Sequence, residues 1–165
     1  MKNNQGFIGK YYKIISLLIK KSFPNLRDKK IKVYEKKSLK FSADTKKSPW
    51  KLRIRTNPLL RKYSDKLLIG VFSHELCHLE AFVEQSWFEY YFLRDFKKLS
   101  DKFIKKEEEE TDKKVIRKGY GYELYLQRRY RWNTKDKKIK KLKKFYISPN
   151  KIKVYAKSIG KWKTK

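Results

Sequence analysis

Apolar residues recur every three or four positions in the first part of the chain, which is the spacing of one face of an α-helix. They lie within residues 7–22 and are Phe7, Tyr11, Ile14, Ile15 and Leu18. The pattern predicts an amphipathic first helix that ends before Pro24. Its apolar run is too short for a membrane span, which needs about 20 apolar residues. We therefore expect no transmembrane segment, with peripheral contact to a membrane as the alternative.

Two short segments alternate apolar and polar residues, as strands with one buried face do. Residues 31–34 and Lys51–Thr56 have this pattern and are rich in Ile, Val and Tyr or in Leu and Ile. Residues 43–50 between them are polar, and the pattern predicts a loop there. The N-terminal part of the chain is thus predicted to supply a helix and two strands.

The strongest helical pattern follows these strands. Ser64 and Asp65 have the composition of an N-cap and a first turn, and the pattern continues to about Gln85. One face of this predicted helix carries Leu67, Val71, His74, His78 and Ala81. Gly70 lies inside the helix, where glycine lowers helix stability, so we expect a neighbouring element to pack closely against it.

The second half of the chain is predicted to be helical. Apolar residues at helical spacing predict a third helix, and they are Phe88, Phe92, Phe96, Leu99 and Phe103. Residues 107–118 begin with four glutamates and end in basic residues before Gly119. This order predicts a helix, because acidic residues are favourable at the positive N-terminal end of a helix dipole and basic residues at its negative C-terminal end. Residues 119–121 are predicted to form a turn, and two short helices follow, at about 135–146 and after Ser148-Pro149.

These elements predict an α+β fold in which a small N-terminal β-sheet packs on a helical core. The length of 165 residues suits a single domain. Within it, residues 1–64 hold the first helix and the strands, 65–118 the helices of a candidate site, and 119–165 the basic C-terminal helices.

Charge is distributed unevenly along the chain. The net charge is +29, with 19 basic and 3 acidic residues in 1–64, 20 basic and 2 acidic in 113–165, and a net negative segment between them. The basic flanks favour non-specific contact with nucleic acid or another anionic surface. The sequence contains no recognisable base-reading motif, and 37 of the 46 basic residues are lysine, as on a solvated surface. The chain has a single cysteine, Cys77, which excludes a scaffold of disulfide bonds within the chain. A single cysteine is compatible with a reducing compartment, and we expect a cytoplasmic protein.

The candidate chemistry lies in residues 74–78, which read His-Glu-Leu-Cys-His. On a helix, His74 and His78 project from the same face and can bind one metal ion, while Glu75 can reach a water molecule beside it. These are the only two histidines of the protein, and Cys77 lies on a different face. The pattern predicts a zinc ion. Its third protein ligand must come from elsewhere, and we expect a carboxylate further along the chain.

The acidic run at 107–112 supplies such carboxylates, and here the sequence resembles the gluzincin-type zinc metallopeptidases. Over about residues 50–122 it is similar to minigluzincins and to the soluble core of HtpX-like peptidases. In that family a Glu-x-x-x-Asp helix follows the His-Glu-x-x-His helix, and only Glu108 and Asp112 have this spacing here. The resemblance implies that Glu108 binds zinc and that Asp112 orients a ligand histidine. Val115 turns the same face inward, whereas Glu109 and Glu110 are expected to form exposed ion pairs with Lys113 and Lys114.

The predicted function is a zinc-dependent peptidase that acts on peptide or protein substrates, with Glu75 as general base. The candidates for stabilising the oxyanion are Tyr120, Tyr122, Tyr125 and Arg128. The resemblance also implies that the strand Lys51–Thr56 forms a sheet edge that pairs with substrate. Three alternatives remain open: a zinc hydrolase of non-peptide amides, a basic nucleic-acid-associated protein, and a zinc-stabilised domain without catalysis.

Overall fold

In the described residues one α-helix precedes a small three-stranded sheet, and four α-helices follow it. The computed structural model describes residues 3–37, 42–48, 50–85, 100–133 and 141–164. Their α-helices and strands, in chain order, are α1 (Asn3–Ser22), β1 (Ile31–Glu35), β2 (Ala43–Ser48), β3 (Lys51–Thr56), α2 (Asp65–Glu84), α3 (Asp101–Val115), α4 (Gly121–Trp132) and α5 (Pro149–Ser158). The predicted α+β class is confirmed. Among these residues no helix is both long and apolar enough to cross a membrane.

The sheet has the strand order β1-β3-β2, with β1 parallel and β2 antiparallel to β3. Two predictions are therefore wrong: residues 43–48 form a strand instead of a loop, and β3 is the central strand instead of an edge. The polar sequence of β2 hides its strand character because an edge strand needs apolar side chains on one face only. Its inward-facing residues are the small Ala43 and the polar Thr45, which lies opposite Ile54.

Helix α2 lies at the centre of the molecule. It contacts α1, β2, α3 and α4, so residues around almost its whole circumference are buried. Ser64 occupies the predicted N-cap position, although its side chain makes no capping hydrogen bond. The predicted close neighbour of Gly70 is α4, because a Cβ atom at Gly70 would lie 2.4 Å from the carbonyl oxygen of Glu123. Glycine here lets the two helices approach.

Helix α3 begins earlier than predicted. It starts at Asp101, with Ser100 at the N-cap position, so the four glutamates lie in its middle and do not mark a helix N-terminus. Phe103 belongs to this helix, whereas the other apolar residues of the predicted third helix lie outside the described residues. The prediction that the four glutamates stabilise the N-terminal end of a helix dipole is therefore wrong. Their position in the middle of α3 must have a different cause.

A kink takes the place of the predicted turn at 119–121. A π-helical turn at Ile116–Tyr120 ends α3, Gly119 adopts a φ of +91°, and α4 begins immediately at Gly121. Helix α4 was not predicted, because it buries polar side chains instead of a clear apolar stripe. Ser148 caps α5 as expected, by accepting a hydrogen bond from the backbone N–H of Lys151. The predicted helix at 135–146 lies partly outside the described residues, and its end is a short 3-10 turn, Lys143–Phe145.

Candidate metal centre

Helix α2 presents both histidines to α3. His74 and His78 lie one turn apart, and their Nε2 atoms are 3.2 Å from each other. Cys77 points instead into the apolar core, where it is buried. The two imidazoles therefore converge as the spacing predicts, and the thiol is not among the groups that face them.

The third group at this point is Glu108 of α3. Its Oε2 atom lies 3.0 Å from Nε2 of His74 and 3.5 Å from Nε2 of His78. The three donor atoms lie within 4.8 Å of one another. The neighbouring glutamates form ion pairs with different partners than predicted: Glu109 lies near Lys105, and Glu110 pairs with Lys113 at 2.7 Å. Of the four adjacent glutamates, only Glu108 belongs to the cluster.

Asp112 holds His74 from the other side. Its carboxylate accepts a hydrogen bond from Nδ1 of His74 at 2.9 Å, a charge-assisted one from Arg128 at 2.6 Å, and one from the backbone N–H of Ile147 at 3.2 Å. Asp112 and Arg128 are both buried. Helices α2, α3 and α4 and the segment before α5 thus meet at one carboxylate, which fixes the orientation of the His74 ring.

Arg128, one of the four sequence candidates for stabilising an oxyanion, contacts other side chains of the protein. Its guanidinium donates one hydrogen bond to the Asp112 carboxylate and one to the side-chain oxygen of Gln127, each 2.6 Å long. The predicted tyrosines lie elsewhere: the hydroxyl of Tyr120 is 2.8 Å from Ser22 Oγ, and the rings of Tyr122 and Tyr125 pack on Trp162. None of these four residues lines the cavity beside the histidines.

The hydrogen bonds define how the cluster is charged. Because the Asp112 carboxylate is an acceptor, Nδ1 of His74 carries a hydrogen. Nε2 faces Glu108 and His78: in the protonated ring it donates a hydrogen bond to Glu108, and in the neutral ring its lone pair can bind a metal ion. Burial lowers the pKa of His74, but the hydrogen bonds that the ring donates to the Asp112 and Glu108 carboxylates raise it to about 9. Burial raises the pKa of Glu108, yet His78 and His74 hold it well below its ordinary value.

These groups fit a divalent metal ion. Two imidazole nitrogens and one carboxylate oxygen converge, and the neutral imidazoles and the carboxylate each offer an electron pair to a cation. The set matches the three protein ligands of a catalytic zinc site, in which the fourth position is left to water or substrate. Asp112 supplies the outer carboxylate that such histidines usually have. The donor set is therefore of a kind that zinc favours.

Glu75 borders a cleft of about 300 Å³ next to the cluster. The cleft lies between α2, α3 and the edge strand β2, and its lining includes His74, His78 and Glu108. Glu75 is buried, and burial raises its pKa although His74 and His78 oppose the shift. Its carboxylate is outside the ligand cluster, which leaves it available for proton transfer.

Tyr146 is the residue of this site that the sequence did not indicate. It lines the cleft, its ring centroid lies 5.9 Å from that of His74, and the Arg128 guanidinium lies 4.2 Å from its ring centre. Burial strongly raises the pKa of its phenol, and the Glu108 carboxylate raises it further. With 12 tyrosines in the chain and Tyr146 lying 38 positions after Glu108, no local pattern could single it out.

Comparison of the chain with protein-family models, with curated proteins and with solved structures finds no match.

Proposed function

We propose that this protein is a zinc-dependent peptidase whose metal is held by His74, His78 and Glu108. The observation that carries the proposal is the convergence of these three donor atoms beside an open cleft, with the Glu75 carboxylate buried at its wall. A structural zinc site has four protein ligands and no open position. A three-ligand cluster next to a cleft therefore favours catalysis over a purely structural role.

Each residue has a role in this proposal. A zinc ion, when bound, supplies a Lewis acid that activates water and polarises a carbonyl group. Glu75 takes the proton from the attacking water and delivers it to the leaving nitrogen. Its raised pKa suits a group that must accept and then release a proton near neutral pH. Asp112 keeps His74 in the tautomer that directs Nε2 toward the metal.

Tyr146 is our candidate for stabilising the oxyanion. Because its pKa is raised, the phenol stays protonated at neutral pH and can donate a hydrogen bond. The loss of one such donor typically lowers kcat by about 10²–10³-fold. We therefore assign Tyr146, and not the residues that directly follow α3, to this role.

The substrate is proposed to bind as an extended peptide along β2. Ala43, Thr45 and Lys47 of this edge strand border the cleft, and an edge strand offers unpaired backbone groups to a further strand. β3 cannot take this part because both of its edges are paired. Affinity would come from backbone hydrogen bonds, which do not depend on the side chains of the substrate.

The proposal is tested with the zinc-loaded chain and a mixture of unstructured peptides. Glu75→Gln preserves the size of the side chain and should retain zinc while lowering the rate of hydrolysis by at least about 10²–10⁴-fold. Glu109→Gln is the matched control, since Glu109 lies on α3 but pairs with Lys105 outside the cluster. Its hydrolysis rate should equal that of the wild type. Cleavage by the Glu75→Gln variant at the wild-type rate, or no cleavage by the zinc-loaded wild type, would contradict the proposal.

A further inference from the structure

The outer face of the sheet carries a row of three cations. Side chains alternate along a strand, so the burial of Val33 and Ile54 places their neighbours on the outer face. In the strand register Lys32 lies opposite Arg53, and Arg53 lies opposite Lys46. Neighbouring strands are about 4.8 Å apart. Three positive side chains therefore originate within about 10 Å of one another, one from each strand.

Nothing in the described parts of the chain neutralises this row. Like charges directly opposite each other in a sheet are destabilising. The adjacent row contains one carboxylate, Asp44, but Arg55 binds it through two hydrogen bonds, with Nε at 2.7 Å. No carboxylate of the described residues forms an ion pair with Lys32, Lys46 or Arg53. An anionic partner would relieve the repulsion that the described residues leave in place.

Aromatic side chains lie beside the cations. Trp50, in the turn between β2 and β3, is 90 % exposed, although a tryptophan is among the most costly side chains to leave in water. Tyr34 follows Lys32 on the outer face of β1. Trp50, Tyr34, Lys32 and Arg53 line one groove of about 710 Å³. Further basic and aromatic residues of this groove are Tyr12, Lys30 and Lys51.

We propose that this outer face, defined by Lys32, Lys46, Arg53, Tyr34 and Trp50, binds single-stranded nucleic acid. Sites for single strands combine a positive groove that follows the phosphates with aromatic rings on which bases stack. The row of cations supplies the first component and Trp50 with Tyr34 supplies the second. An acidic peptide would use the cations alone and would leave the exposed tryptophan without a role. Lys46 also borders the cleft beside the metal cluster, but the other four residues lie outside that cleft, and the proposal does not depend on the proposed peptidase activity.

The first experiment separates this surface from the high net charge of the chain. Binding of a labelled oligothymidine of about 15 nucleotides is measured by fluorescence anisotropy at several salt concentrations. In the sheet variant, Lys32, Lys46 and Arg53 are replaced by Gln. In the control variant, the exposed lysines of α5, Lys151, Lys153 and Lys157, are replaced by Gln, which removes the same charge.

The two variants should differ in the salt dependence of binding. Each phosphate contact with a single strand contributes about 0.7 to the slope of log K against log salt, so the sheet variant should lose about 2 from the slope. The control variant should keep the slope of the wild type. Equal losses in the two variants would mean that net charge alone drives binding, and the proposed surface would then be wrong.

A second experiment tests stacking. Trp50→Ala should weaken binding to the single strand about 5- to 150-fold, the equivalent of the roughly 1–3 kcal/mol contributed by one stacked base. Leu59→Ala, which truncates another exposed apolar side chain, is the control and should bind like the wild type. Trp50 lies in an exposed turn, so this variant remains informative even if the sheet variant folds poorly. No effect of Trp50→Ala, tighter binding of a duplex, or binding only to phosphatidylserine vesicles would overturn the proposal.

Discussion

At the residue scale, Glu108 differs from its neighbours in what its carboxylate meets. It lies within 3.5 Å of both histidines, whereas Glu110 pairs with Lys113. On our proposal Glu108→Ala should therefore lose zinc on dialysis and lose hydrolysis with it, because among the described residues only the two histidines of the cluster would remain as ligands. Glu110→Ala should retain one zinc per chain. Elemental analysis after dialysis measures both, and a zinc-retaining Glu108→Ala variant would place the third ligand elsewhere.

Arg128 is the second residue for which we expect a large effect. Arg128→Met keeps an unbranched apolar stem but removes the guanidinium, which leaves Asp112 as a buried carboxylate without its cation, and breaking such a pair costs about 3–5 kcal/mol. Zinc affinity should also fall about 10- to 100-fold, since Asp112 orients His74. Arg129→Met is the control, because the adjacent side chain is exposed. Urea unfolding and zinc titration measure the two effects, and equal behaviour of both variants would contradict this role.

At the scale of the elements, the contact between α2 and α4 depends on the missing side chain of Gly70. Gly70→Ala would place Cβ 2.4 Å from the Glu123 backbone oxygen, so the two helices would have to move apart. We expect a loss of about 1–3 kcal/mol in the free energy of unfolding, typical of overpacking. Gly9→Ala, in α1, meets no atom within 4 Å and should instead raise stability by about 0.5–1 kcal/mol.

Thermal or urea unfolding of the two alanine variants distinguishes a packing effect from a general effect of helix propensity. Equal stabilisation of both variants would show that α2 and α4 tolerate a side chain at position 70. Because α4 carries Arg128, a shift of this helix should also lower the zinc affinity of Gly70→Ala, and Gly9→Ala should leave it unchanged.

For the molecule as a whole, Cys77 reports how often the core opens. It is the only cysteine, it is 1 % exposed, and burial raises the pKa of its thiol to about 12. A thiol reagent should therefore react slowly with the native protein and rapidly in denaturant. If zinc binds at the proposed site, it should stabilise the native state and slow the reaction further. Labelling of the native protein at the rate of the unfolded chain would contradict the packing of α2.

The sequence by itself determined the features that depend on local geometry. The helical repeat brings His74 and His78 to one face, and it does so in any helix that contains them. The same repeat pairs Glu108 with Asp112, and the hydrogen bond from His74 to Asp112 agrees with that pairing. Gly70 was informative because glycine destabilises the interior of a helix, so its presence predicts close packing by a neighbour. That neighbour is helix α4. The metal and the reaction stay predictions that rest on these groups.

Tertiary structure alone decided which distant segments complete the site. β2 is a strand because β3 pairs with its backbone, and its side chains do not reveal this. In the sequence Arg128 cannot be told apart from the many surface cations of the chain, and only the fold shows its buried ion pair with Asp112. Tyr146 contacts His74 although the two residues are 72 positions apart in the chain. Strand pairing and the burial of charged groups are set by contacts between segments far apart in the chain. A local pattern of residue types carries no information about such contacts.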